Sequence, residues 1–152
     1  MIPVRLTAGE KALVELLANG LTVKQAAVAL GISPNTAESR YASARRKAGG
    51  VPGAPGLVHQ SYMANALDRP EAVDDADAVH LTGDQKQTLD LMAEGLNASQ
   101  IAQKTKRPLP VVRRDARDVT AAVGGTSPAH TIKRAWQLRL LGVAEPVAPA
   151  AP

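Results

Sequence analysis

The sequence predicts an all-α fold in which one four-helix unit is used twice, and three observations carry that expectation. The chain repeats itself: Leu6-Thr7 returns as Leu81-Thr82, Ala18-Asn19-Gly20-Leu21 as Ala93-Glu94-Gly95-Leu96, and Gly49-Gly50 as Gly124-Gly125, always 75 positions on. A constant shift with no gap is the mark of a duplicated supersecondary unit. Within each copy the apolar residues recur at helical spacing, and cap and breaker residues fall where such helices would start and stop.

In the first copy Thr7 is placed as an N-cap and Glu10 stands three residues on, the pattern of a reciprocal cap. Leu13, Leu16, Leu17 and Leu21 give the first helix its apolar side, and Gly20 ends it. A second helix is expected from Val23 to Leu30, presenting Ala26, Ala27 and Leu30. Gly31 supplies a turn that tolerates positive φ. Ser33-Pro34 then opens a third helix, reaching about Ala48, with Ala37, Tyr41, Ala44 and Ala48 on one stripe. Gly49 to Gly56 reads as a loop, followed by a fourth helix over about 55–67.

The second copy repeats this order. Thr82 caps, Leu89, Leu91, Met92 and Leu96 are apolar, and Ile101 and Ala102 mark the second helix. Val112, Ala116, Val119 and Val123 form the inner stripe of the third, and Ser127-Pro128 opens the fourth, with Ile132, Ala135, Trp136, Leu138 and Leu140 to pack. The expected organisation is therefore a domain over 1–67, an acidic linker over 68–80, a second domain over 81–142 and a disordered Ala/Pro tail over 143–152.

Composition narrows the function classes. With no Phe and only Tyr41, Tyr62 and Trp136 as aromatics, the core must be aliphatic; with no Cys, disulfides and thiolate metal sites are excluded. His59, His80 and His130 are scattered, and Asp74, Asp75 and Asp77 lack the spacing of a calcium loop. No arrangement suits catalysis, so the expectation is a non-enzyme without cofactor, metal or small-molecule ligand. Met1-Ile2-Pro3-Val4-Arg5 lacks the apolar segment of a secretion signal, and no run approaches the ~18–20 residues that span a bilayer. A cytoplasmic, nucleoid-associated protein is expected.

Charge points to a polyanion. Residues 1–67 carry seven Lys/Arg against three Asp/Glu and residues 81–152 ten against six, while residues 68–80 carry one against five. Two basic lobes thus flank an acidic strap of thirteen residues, which reaches at most ~45 Å when fully extended.

A tight turn followed by a long basic helix suits the major groove, which is ~12 Å wide and admits one α-helix. Here Leu6-Thr7 through Gly20-Leu21, Gln25-Ala26-Ala27, Leu30-Gly31-Ile32-Ser33-Pro34, Thr36 and Lys47-Ala48-Gly49 resemble the LuxR-type (FixJ/NarL-type) helix-turn-helix module. That module is a four-helix DNA-binding unit of bacterial transcription factors. The resemblance covers most of residues 6–67 and, more loosely, 81–141, including Ser127-Pro128-Ala129-His130-Thr131 to Leu140-Leu141. Thr36 to Lys47 also resembles the promoter-reading fourth region of bacterial sigma factors, but the fourth helix of both copies favours the LuxR-type assignment.

The resemblance implies a transcriptional regulator that reads double-stranded DNA through two third helices. It places base-contacting side chains at Glu38, Ser39 and Ala42 in copy one and at Arg113, Arg114 and Arg117 in copy two. Asn35, Thr36 and Val111 join the DNA-facing set, and Arg40 and Lys47 are expected on phosphate. Arginine forks onto guanine O6 and N7, whereas Glu38 suits a cytosine amine, so copy one discriminates and copy two adheres. In the family the fourth helix mediates dimerisation, which leaves pairing between two copies or within one chain; the latter gives a pseudo-dimer reading an asymmetric site. The competing function is a protein-interaction module in which one or both units do not read DNA.

Copy two departs from the pattern. Lys106 replaces the turn glycine, and Pro108-Leu109-Pro110 replaces Ser33-Pro34-Asn35. A left-handed Lys costs roughly 1 kcal/mol, and the lost cap about as much. The expectation is a reshaped turn with Pro110 as the first helical residue.

Overall fold

A computed structural model describes residues 3–73 and 79–142. Among them are eight α-helices and no strand, in two successive quartets. The first is α1 (Ala8–Ala18), α2 (Val23–Leu30), α3 (Pro34–Lys47) and α4 (Ala54–Met63); the second is α5 (Gly83–Ala93), α6 (Ala98–Thr105), α7 (Leu109–Val123) and α8 (Pro128–Gln137). The expected acidic run at Asp74, Asp75 and Asp77 and the expected tail over 143–152 lie outside the described residues.

Local chemistry fixes the helix starts. Thr7 and Glu10 form a reciprocal cap, with Thr7 N–H donating to Glu10 Oε1 at 2.9 Å and Glu10 N–H to Thr7 Oγ1 at 3.1 Å. The same device opens α2 (Thr22, Gln25), α5 (Thr82, Gln85) and α6 (Asn97, Gln100). Each such cap satisfies two backbone donors that a helix start otherwise leaves orphaned. Ser33 and Ser127 cap α3 and α8 through a single hydroxyl.

The turn before α7 corrects the sequence reading. Lys106 takes φ 57°, ψ 37°, close to the φ 68°, ψ 32° of Gly31, so the turn is kept at the cost of a left-handed backbone at a residue with a Cβ. Leu109, not Pro110, is the first helical residue, and Pro108 occupies the cap position without a side-chain hydrogen bond. Proline in the first turn costs nothing there, because those amides have no helical partner.

The quartets share one core, which crosses the boundary expected at residue 67. Leu13, Val14, Leu17, Leu57, Val58 and Leu67 of the first meet Leu89, Val119, Ile132, Ala135 and Trp136 of the second. A smaller cluster of Leu91, Ile101 and Val112 holds α5, α6 and α7 together. α4 packs against α8, while α1 meets α8 and α4 meets α5. That pattern is isologous: each quartet offers its first and fourth helices to the fourth helix of the other.

Close approaches repeat the symmetry position for position. A Cβ on Gly20 would lie 2.6 Å from Thr126 Oγ1 and 3.7 Å from His130 Cβ; one on Gly95 would lie 2.9 Å from Pro52 Cδ and 3.7 Å from Gly56 Cα. Thr126 and His130 are the counterparts of Pro52 and Gly56 at a shift of 74, one less than earlier in the chain. The same shift relates Tyr62 to Trp136, Leu67 to Leu141, and the positive-φ residues Asn65 (58°) and Arg139 (59°). One residue is therefore lost between Gly125 and Ser127 relative to the first copy.

Residues 68–73 are fastened to both fourth helices. Arg69 donates to the carbonyls of Tyr62 (2.8 Å) and Met63 (3.1 Å), and its guanidinium lies 5.1 Å from the Trp136 ring centroid. Val73 N–H donates to Gln137 O at 3.0 Å.

Candidate nucleic-acid interface

α3 turns Ala37 and Ala44 into the core, which leaves Asn35, Thr36, Glu38 and Ser39 exposed on the opposite side. Ala42 is half-buried, and the Thr36 hydroxyl receives a 2.9 Å hydrogen bond from Ser33 Oγ, tying it to the cap. Of the expected base-contacting set in copy one, Glu38 and Ser39 therefore share an open face with Asn35, while Ala42 is less exposed.

The cations expected to support α3 are less available. Lys47 donates to Glu10 Oε1 at 2.6 Å, and Ser43 donates to Glu10 Oε2 at 2.6 Å, so Lys47 works as a clamp between α3 and α1. Burial pushes the Glu10 carboxyl upward, but hydrogen bonds from Lys47, Ser43 and the Thr7 N–H outweigh it and bring the pKa down to about 2. Arg40 is half-buried, with its guanidinium over Gly9 at the start of α1. Arg45 lies 4.8 Å from the Tyr41 ring centroid and donates to Pro52 O at 3.2 Å. Arg46 stays exposed.

α7 is arranged differently. Val112, Val119 and Val123 face inward, and Arg113, Arg114 and Arg117 all stand exposed on the other side, with Val111 half-buried beside them. Among the described residues none of these three arginines joins an ion pair. Forked guanidinium donors at successive helical positions suit guanine edges and phosphate oxygens.

A buried polar group at the back of α7 escaped the sequence reading. Asp115 occupies the inner face and accepts from Arg107 Nη1 at 2.6 Å, while Arg107 Nη2 donates to Thr88 Oγ1 of α5 at 2.7 Å. Arg107 and Asp115 side chains are only 15% and 11% exposed, so this pair is held out of water. The available signal was a carboxylate on the stripe that Val112 and Val119 define.

His59 also has a role that spacing alone did not reveal. Trp136 Nε1–H donates to His59 Nδ1 at 3.1 Å, joining α8 to α4, and burial holds the His59 pKa below its ordinary value. His130 accepts from Thr126 N–H at 3.0 Å and closes the loop before α8. Among the described residues no group of His, Cys, Asp or Glu could hold a metal ion, and no helix is long and apolar enough to cross a membrane.

Comparison with protein families, with curated proteins and with solved structures found no match to this chain.

Proposed function

We propose that this protein is a sequence-specific double-stranded-DNA-binding regulator made of two tandem helix-turn-helix units joined by an acidic linker. α3 and α7 enter the major groove, and the protein works in the cytoplasm at the nucleoid. The observation that carries the reading is the outer face of α7: Arg113, Arg114 and Arg117 exposed together on a helix whose other side is anchored in the core. Arg113 and Arg114 with Arg117 read or grip the duplex, Asn35, Glu38 and Ser39 read the other half, and Arg46 and Arg40 lie nearest the backbone. Lys47 is left out of the contact set, because Glu10 holds it.

A second reading has one observation in its favour. The outer face of α3 carries Glu38 and keeps Lys47 in an internal pair, so copy one is a poor electrostatic match for phosphate and suits a protein surface. Salt separates the two. A DNA-binding chain that neutralises six phosphates loses affinity with log salt at a slope of about −5. Arg113→Ala or Arg114→Ala weakens binding by ~1–3 kcal/mol where the side chain reads a base. Unchanged affinity in folded variants, measured by fluorescence anisotropy, rejects the base-reading role. A protein adaptor shows no DNA retention even at low salt.

A further inference from the structure

We infer that one chain, without a second copy, occupies a single non-palindromic duplex site, guanine-bearing under α7 and of different sequence under α3. The inference rests on the DNA-binding reading and adds the stoichiometry and symmetry of the target.

The interface by which two such units pair is already filled within the chain. α4 and α8 lie against each other in one shared core, and Gly20 and Gly95 admit Thr126 and Pro52 at distances that leave no room for a side chain. The Trp136–His59 hydrogen bond and the Arg69 bonds to the end of α4 tie the same seam. α3 and α7 are thus presented as an approximately two-fold pair by a single polypeptide, and the orientation between them is set by packing, not by linker length.

The two faces so presented are chemically unlike. At the shift of 75, Glu38 corresponds to Arg113, Ser39 to Arg114 and Ala42 to Arg117, and the first two pairs are exposed on both sides. A perfect palindrome shows the same base edges to both helices. Guanine O6 and N7, which accept from the arginines of α7, are acceptors that repel the Glu38 carboxylate; a cytosine amine, which suits Glu38, offers arginine nothing. In two helices docked alike, Glu38 and Arg113 meet the same base of the same strand, and that base is the guanine or the cytosine of a G·C pair and never both, so the best duplex has unlike halves at that position.

The experiment selects duplexes from a random pool with the full chain and measures the mass of the complex on the selected site. The expected result is a non-palindromic motif bound one chain per duplex. Synthetic palindromes made by doubling either half should bind about tenfold or more weaker, since several base pairs become mismatched to one helix. Glu38→Arg, a surface change, should shift selection toward like halves. A palindromic motif, or two chains per selected site, overturns the inference while leaving DNA binding intact. No retention of any duplex at low salt overturns the DNA-binding reading and the inference with it.

Discussion

In the first quartet α3 is held to α1 by a carboxylate on α1: Glu10, 5% exposed, takes Lys47 and Ser43 from α3. In the second, α7 is held to α5 by a carboxylate on α7 itself: Asp115 takes Arg107 from the turn, which in turn reaches Thr88. The same mechanical task, fixing the third helix to the first, is done with opposite polarity. The first solution draws a cation of α3 into the fold, whereas the second recruits its cation from outside the helix and leaves Arg113, Arg114 and Arg117 for solvent. How each clamp is built therefore decides how much positive charge the outer face keeps.

The clamps also differ in burial, and that difference can be broken open. Lys47 is 37% exposed and can rehydrate if its partner goes; Arg107 at 15% cannot do so without moving the turn. Asp115→Ala should cost about 3–5 kcal/mol, as removing one partner of a buried pair does. Glu10→Ala should cost less, about 2–3 kcal/mol, covering a pair whose cation can rehydrate, the Ser43 bond and a cap bond. Urea denaturation of the two variants checks this. Equal losses would mean that burial does not separate the clamps.

Acid should act on the first clamp in a defined window. The Glu10 carboxyl, about 2 in the fold against 4.5 when free, contributes stability that is present above about pH 4.5 and is lost as pH falls toward 2. That shift is worth about 3 kcal/mol, reduced toward ~2 by solvent screening because Lys47 is 37% exposed. His59 adds a smaller loss in the same direction at higher pH. Its folded pKa is depressed below 6.5, so protonating Nδ1 as pH drops under that value works against the bond from Trp136. Stability followed across pH 7 to 3 should fall less steeply in Glu10→Gln than in the parent. Parallel curves would remove Glu10 from the acid response.

Much of this was legible in the residues. Helix α2 runs over Val23–Leu30 as its spacing predicts, and Ala37 and Ala44, or Val112, Val119 and Val123, are buried as their stripes require. Such features are local: period and caps lie within a few residues of each other. The pairing of α4 with α8 was open in the sequence, because an apolar stripe with Trp136 reads as core without saying which helix covers it. Asp115 and Glu10 were missed as clamps because their partners come from a turn or from another helix, and no periodicity encodes them. The step from a shift of 75 to 74 lies in a Gly/Pro/Ser/Thr stretch with little sequence to align, and it is fixed by the matched contacts at Gly20 and Gly95 and by the Asn65 and Arg139 backbone angles.

The smallest expected effect concerns the two turns. Gly31 and Lys106 have nearly the same left-handed backbone, and a Cβ on Gly31 meets nothing within 4 Å, so any difference between them is conformational strain and not crowding. Lys106→Gly should therefore stabilise the fold by about 0.5–1 kcal/mol, the relief of a left-handed side chain less the extra entropy of an unfolded glycine. Gly31→Ala should cost about as much in the other direction. Either change alone would make the turns alike, and the two together would exchange their energies, without touching Arg113, Arg114 or Arg117. If Lys106→Gly instead weakens the protein, the lysine side chain makes a contact that offsets its backbone, and the second turn is held by more than its conformation.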